Sequence, residues 1–216
     1  MNRAKFIGFF VLIFFANSVV FAKVSSLHQV LNKYRNSPAV EIKLRKTVAM
    51  TLLDPDKPKE SFGRLYISNN KMRYQITKPE KHLVVMNEKV IWVENRLGKE
   101  FGNKVQVTKI QSKQASLKVK GFLAAFFGNR NIKEDMEFKR VRKDLYSIKF
   151  KKKESSPDLN SAFIAFDSKK EVIKYLEYSD DFNKTRHYFV KTKFLDKSKS
   201  SNFSYKAPKG AQITIL

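Results

Sequence analysis

The chain contains no cysteine in 216 residues, which excludes disulfides, thiolate metal sites, thiol nucleophiles and a lipid attached through a cysteine. Histidine is nearly as scarce. His28, His82 and His187 lie far apart and lack the i, i+4 spacing of a helical metal pair. Seven glycines form no phosphate-cradling loop, and no serine stands in the glycine-flanked turn of an esterase nucleophile. The acidic pairs, Asp180-Asp181 and Asp54 with Asp56, occur in turn-like surroundings, where Asp is common for its local backbone hydrogen bonds. The sequence therefore points to no enzyme, no metal and no cofactor.

Acidic residues are also in short supply, with 20 against 44 Lys and Arg, a formal net charge of +24. Charge of that size governs partners and association rates more than fold. Nucleic acid is the usual partner of such a balance, but the amino terminus directs the chain elsewhere. Arg3 and Lys5 precede an apolar run over residues 6–16, and Val20-Phe21-Ala22 presents small residues suited to cleavage. Asn17 and Ser18 break the run short of the ~20 apolar residues of a spanning helix. Residues 1–22 thus read as a cleavable signal peptide with cleavage near Ala22, and residues 23–216 as one domain in the periplasm. Two of the 44 basic residues and none of the 20 acidic ones lie in the signal, so the mature chain carries about +22. Beyond the inner membrane the available anions are lipid head groups and envelope polymers, so transient contact with anionic membrane surfaces is expected and nucleic acid is not. Lys151-Lys152-Lys153 is the one tight basic run and reads as a solvated loop.

Apolar residues make up 42% of the chain, enough for a core. Val24, Leu27, Leu31 and Tyr34 form one stripe of a short helix that ends near Asn36-Ser37-Pro38. From Ala39 the period changes to two. Alternation over Val40, Ile42 and Leu44 runs on to Leu52, and a turn is expected over residues 54–58. Leu65-Tyr66-Ile67, the turn Asn69-Asn70, the alternation Met72, Tyr74, Ile76, and two runs at residues 83–86 and 90–93 continue an antiparallel meander. One further strand is expected at 105–110, and others near 136–138, 145–150, 162–166, 172–178, 187–194 and 203–205. Between them "KGFLAAFFGNR", residues 120–130, belongs to a helical stretch: Val119, Phe122, Leu123, Phe126 and Phe127 fall at i, i+3, i+4, i+7 and i+8, stopped by Gly128-Asn129. The expected architecture is mainly β, with roughly ten antiparallel strands, one helix in front and one inserted. So many twisted strands curl, and a curled sheet has a concave face that something must cover.

Residues 60–95, "ESFGRLYISNNKMRYQITKPEKHLVVMNEKVIWVEN", resemble the signature region of the periplasmic outer-membrane lipoprotein carriers, the LolA-type family. Gly63, Tyr74, Pro79 and Trp92 match its strand-opening Gly, strand aromatic, closing Pro and hairpin Trp in order. "NFSYKAPKGAQI", with Phe203, Tyr205, Pro208 and Gly210, is similar to the way those carriers end. The resemblance implies an open, incomplete antiparallel β-barrel whose concave side is capped by helices. It implies a chaperone that takes the acyl chains of lipoproteins from an inner-membrane lipoprotein-releasing exporter to an outer-membrane acceptor, as a monomer and without a cofactor. On that basis Leu65, Ile67, Met72, Tyr74, Ile76 and Trp92 line the cavity, and Val119, Phe122, Leu123, Phe126 and Phe127 form its lid. Where relatives carry an Arg-Pro turn that helps hold the lid, this sequence has Ser68-Asn69-Asn70, so no latch residue carries over. Two other readings remain open: a carrier of phospholipid or another anionic lipid on the same fold, and a basic envelope-binding module whose apolar helix is only core.

Overall fold

The structure, a computed structural model, describes residues 26–50, 54–111, 122, 123, 126, 127, 136–151 and 159–216. Residues 1–22, read above as a signal peptide, and Val24, Leu52, Val119, Gly128-Asn129 and Lys152-Lys153 lie outside the described residues.

Helix α1 (Leu27–Asn36) begins at Ser26, whose hydroxyl accepts from the Gln29 amide at 3.4 Å while its own amide donates to Gln29 Oε1 at 2.7 Å. This reciprocal box satisfies two of the first turn's free amides. Lys33 and Arg35 sit in the last turn, where cations oppose the helix dipole. Leu27, Val30, Leu31 and Tyr34 are buried on one stripe, as their spacing predicts.

The chain then runs through two meanders. The first is β1 (Ala39–Met50), β2 (Asp54–Ser68), β3 (Lys71–Lys78), β4 (His82–Met86), β5 (Val90–Arg96) and β6 (Val105–Gln111). The second is β7 (Met136–Arg142), β8 (Leu145–Phe150), β9 (Ser161–Asp167), β10 (Val172–Ser179) and β11 (Asn183–Leu195), and β11 returns to pair antiparallel with β1. A last strand, β12 (Gln212–Ile215), joins β6 in parallel. The order β12-β6-β5-β4-β3-β2-β1-β11-β10-β9-β8-β7 leaves β12 and β7 as separate edges, so the barrel is open. Among the described residues no helix is long and apolar enough to cross a membrane.

Three local expectations differ from the structure. The chain is already in strand at Asp54, opposite Met50, so residues 54–58 begin β2 instead of forming the turn. The alternation at residues 203–205 does not make a strand: Ser200–Phe203 is a 3-10 turn. The twelve strands include β12, which is too short and too exposed to show a period. The turn readings elsewhere stand. Asn69 and Asn70 take φ of 37° and 65° in a two-residue hairpin between Ser68 and Lys71. Asp180 Oδ1 accepts from the Phe182 and Asn183 amides, a backbone role for one of the acidic pairs.

Three of the sheet's register shifts fall side by side. Register shifts occur at Lys43/Leu44 opposite β11, at Phe62/Gly63 opposite β3 and at Ile173/Tyr175 opposite β9. They leave Val190, Thr77 and Lys174 as extra residues. Because Leu44 faces both Gly63 and Phe189, the bulges form a row across β3, β2, β1, β11 and β10. Bulges increase bend and twist, and a row of them folds the whole sheet. Gly63 lies within this row, well inside β2, not at the opening of a strand. A Cβ there would come 2.0 Å from the Gln75 carbonyl oxygen, so only glycine lets β3 approach so closely.

Candidate functional site

Pairing divides the side chains into two faces. Val40, Ile42 and Leu44 of β1 point inward with Leu65 and Ile67 of β2, Met72, Tyr74 and Ile76 of β3, Met86 of β4 and Ile91 of β5. From the second meander Phe166, Ile164, Leu176 and Phe189 join the same cluster. Helix α1 covers one part of this inner face. Tyr34 anchors it: its hydroxyl accepts from the Ile173 amide at 3.1 Å and its ring meets Phe194 edge-on at 5.1 Å. Burial pushes the Tyr34 hydroxyl pKa up.

Phe122, Leu123 and Phe126 are buried in the same cluster, and Phe127 packs against it. Their contacts run ring to ring. Phe122 lies 4.8 Å from Tyr178, and Phe127 lies 6.0 Å from both Tyr34 and Phe189. Phe126 is 0% exposed. These side chains are packed in place, and a partly open pocket of about 220 Å³ lies beside Phe126 and Phe127. Leu31, Tyr34, Ile67, Phe126 and Phe127 form its apolar wall; Arg35, Ser37 and the Ser68-Asn69-Asn70 turn form a polar one.

Five of the six residues expected to line the cavity, Leu65, Ile67, Met72, Tyr74 and Ile76, are buried together on the inner face, and Ile67 reaches the cavity itself. Trp92 is not with them. Ile91 and Val93 face inward, so parity turns Trp92 to the outer face, where it pairs with Val85 and stacks on Tyr205 at 5.2 Å with Lys109 Nζ 5.4 Å from its ring. Val119 lies outside the described residues.

The inner face also carries polar groups that the sequence reading left unassigned. His187 is 2% exposed, with Nε2 3.4 Å from the Tyr74 hydroxyl, its ring stacked on Tyr178, and Nδ1 without a partner among the described residues. Burial, with a smaller contribution from the Lys46 charge, lowers its pKa to about 3. Burial also lowers that of Lys46 and raises those of Tyr74 and Tyr178. The parity of Thr185, His187 and Phe189 was the available signal. Arg35 was missed as well, although it follows Leu31 by four residues and so flanks the buried stripe.

The outer face is charged. Arg45 pairs with Glu60 at 3.1 Å and stacks on Tyr188, Arg64 pairs with Glu41, and Arg186 pairs with Glu177 and stacks on Tyr175. An open groove of about 950 Å³ follows the bulge row there, between Phe62, Tyr188 and Val190. Among the described residues no cluster of His, Asp or Glu could hold a metal ion.

The unclosed barrel thus has an apolar inner face packed under α1 and the Phe122, Leu123, Phe126 and Phe127 side chains. Residues 49–206 match the model of one protein family, outer membrane lipoprotein carrier protein LolA. The chain belongs to that family. The LolA description is of a carrier, a binding role and not a catalytic one. Among solved structures the chain is similar to an uncharacterized conserved protein from Thermus thermophilus, with 13% identity over 89% of this chain and 100% of that one and a TM-score of 0.49. It is also similar to a LolA superfamily protein from Nitrosomonas europaea, with 10% identity over 84% and 98% and a TM-score of 0.45. For an outer membrane lipoprotein-sorting protein domain from Vibrio parahaemolyticus the figures are 8%, 82%, 93% and 0.43. No curated protein matches the sequence.

Proposed function

We propose that this LolA-family protein is a periplasmic chaperone that holds the acyl chains of lipoproteins between the inner face and the lid. It receives them from an inner-membrane exporter and delivers them to an outer-membrane acceptor, acting as a monomer. The observation that carries this reading is the lid's attachment by ring contacts over an apolar face.

The magnitudes make exchange feasible. Burying Phe122, Leu123 and Phe126 contributes roughly 1.5–3 kcal/mol each, or roughly 4.5–9 kcal/mol in all before ordering costs, and half-buried Phe127 adds less than a full share. A chain of about sixteen carbons, at ~0.8 kcal/mol per methylene, offers roughly 12 kcal/mol. The lid is thus comparable to one acyl chain, so a first chain can displace it and further chains of the anchor favour the loaded state. The cavity of about 220 Å³ falls below the roughly 300–1,000 Å³ of ordinary ligand pockets. A whole acyl chain therefore enters only as the ring contacts of Phe126 and Phe127 give way.

Mass spectrometry of protein purified from its native envelope tests this. Acylated lipoprotein is expected to accompany the wild type and to be absent from Phe126→Glu, whose strand content stays unchanged. A folded wild type that retains no acyl ligand and binds anionic surfaces only through salt-sensitive contacts would refute the carrier reading.

A further inference from the structure

Arg35 projects from the last turn of α1 into the polar wall of the lid cavity, beside Asn69 and Asn70 and facing Phe126 and Phe127. Its side chain as a whole is half-buried, yet Nε and Nη2 are closed off from solvent and have no hydrogen-bond partner among the described residues. The neighbouring hydroxyls do not answer it. Ser37 donates to the Lys33 carbonyl and Ser68 to that of Pro38, each at 2.7 Å. Burial without a counter-charge lowers the Arg35 pKa, a sign that the site disfavours the cation it contains.

An unmet buried donor is a standing cost, larger when the donor is charged. The two orphaned nitrogens are also a particular pair. Nε and Nη2 share one edge of the planar guanidinium, and their N–H groups run side by side, the fork that meets two oxygens of a carboxylate or phosphate. Beyond that edge the wall becomes apolar through Leu31, Ile67 and the lid rings.

We infer that Arg35 is the head-group subsite of the lid cavity, taking the oxyanion of an acyl amphiphile through Nε and Nη2 while the acyl chain enters beneath Phe126 and Phe127. The inference rests on the lid cavity being a lipid site, and it adds a second class of cargo: lipids with an anionic head, whether the phosphate of a phospholipid or the carboxylate of a fatty acid. A bound oxyanion would neutralise the guanidinium and supply both acceptors at once, which an uncharged glyceride cannot do.

The test is a binding titration of the purified protein with lysophosphatidylglycerol, oleate and the uncharged monoolein, repeated on Arg35→Gln and Arg35→Lys. The wild type is expected to prefer at least one of the two anionic lipids over monoolein by at least about tenfold, the scale of charge-assisted hydrogen bonds. The tighter of the two identifies the head group. Arg35→Gln should abolish the preference and leave monoolein binding unchanged. Arg35→Lys, which keeps the charge and loses the fork, should lose most of it. Because Arg35 Nε and Nη2 have no partner among the described residues to lose, the Tm of Arg35→Gln without lipid should equal or exceed that of the wild type. Equal affinity for all three lipids, or an equal loss for all three in Arg35→Gln with a lowered Tm, would overturn the subsite and leave the carrier reading standing. A wild type that binds none of the three, monoolein included, overturns both.

Discussion

Two covers lie over the sheet, one on each face, and they are attached by different means. On the outer face the carboxy-terminal segment is fastened by directional bonds. The Tyr205 hydroxyl donates to Glu94 at 2.7 Å, Glu94 also accepts from Arg96, Phe203 is buried, β12 pairs with β6, and the Leu216 amide reaches the Lys109 carbonyl at 2.9 Å. Gly210, at φ 79°, makes the turn into β12 that other residues rarely make. On the inner face the contacts of the described lid residues are aromatic and aliphatic packing. Packing against an apolar surface is non-directional, so an acyl chain can replace it. A hydrogen-bonded strand leaves unpaired polar groups behind when it lifts. On the proposed reading, attachment chemistry, more than burial, sets the cover that can lift apart from the one that stays.

The most severe way to disturb the arrangement is at the bend that both faces share. Gly63→Ala puts a methyl group against the Gln75 carbonyl and is expected to cost more than about 3 kcal/mol, read as a fall in the denaturant midpoint. Next comes the lid. Phe126→Glu places a charge where the side chain is fully buried, and the lid should leave the sheet, with loss of lipid binding and retention of far-UV strand signal. If the whole fold is lost instead, the lid is a permanent part of the core and the contrast between the covers fails.

Charge sharpens the contrast between faces through pH. The imidazole of His187 binds a proton near 6.5 when unfolded and near 3 when folded, so the unfolded chain holds more protons between those values. The contribution is complete above pH 6.5 and is lost as pH falls, at up to about 1.4 kcal/mol per pH unit. His187→Gln should flatten that slope in urea unfolding measured from pH 7 to 4. A slope that persists unchanged would mean that other groups produce it.

The smallest effects belong to the outer cover. Tyr205→Phe removes one hydrogen bond to a charged group, about 1.5 kcal/mol, because Glu94 retains Arg96. Its lipid binding should match the wild type. Trp92 is the one tryptophan and lies under Tyr205, so its emission should shift in Tyr205→Phe and stay constant as lipid is added. Emission that follows lipid would connect the two covers.

Much of this organisation was legible in local patterns. The helix at 27–36, the hairpin at Asn69-Asn70 and the shared face of Leu65, Ile67, Met72, Tyr74 and Ile76 follow from periods of 3.6 and 2 and from turn chemistry. The failures have one cause. Trp92 belongs to a strand whose parity is set by Ile91 and Val93, and a family match at one residue does not say which way it points. The strand β12 has four exposed residues and exists because β6 offers it an edge.

The order of residues along the chain carried the alternation, the aromatic stretch around residues 122–127 and the family resemblance at Gly63, Tyr74 and Pro79. Tertiary structure decided which face each strand shows, which cover is fastened, and that the Arg35 edge and His187 Nδ1 end without partners among the described residues. Periodicity is a property of neighbours along the chain, whereas burial without a partner arises only when distant segments close around one group, as α1, the Ser68–Lys71 turn and the lid close around Arg35.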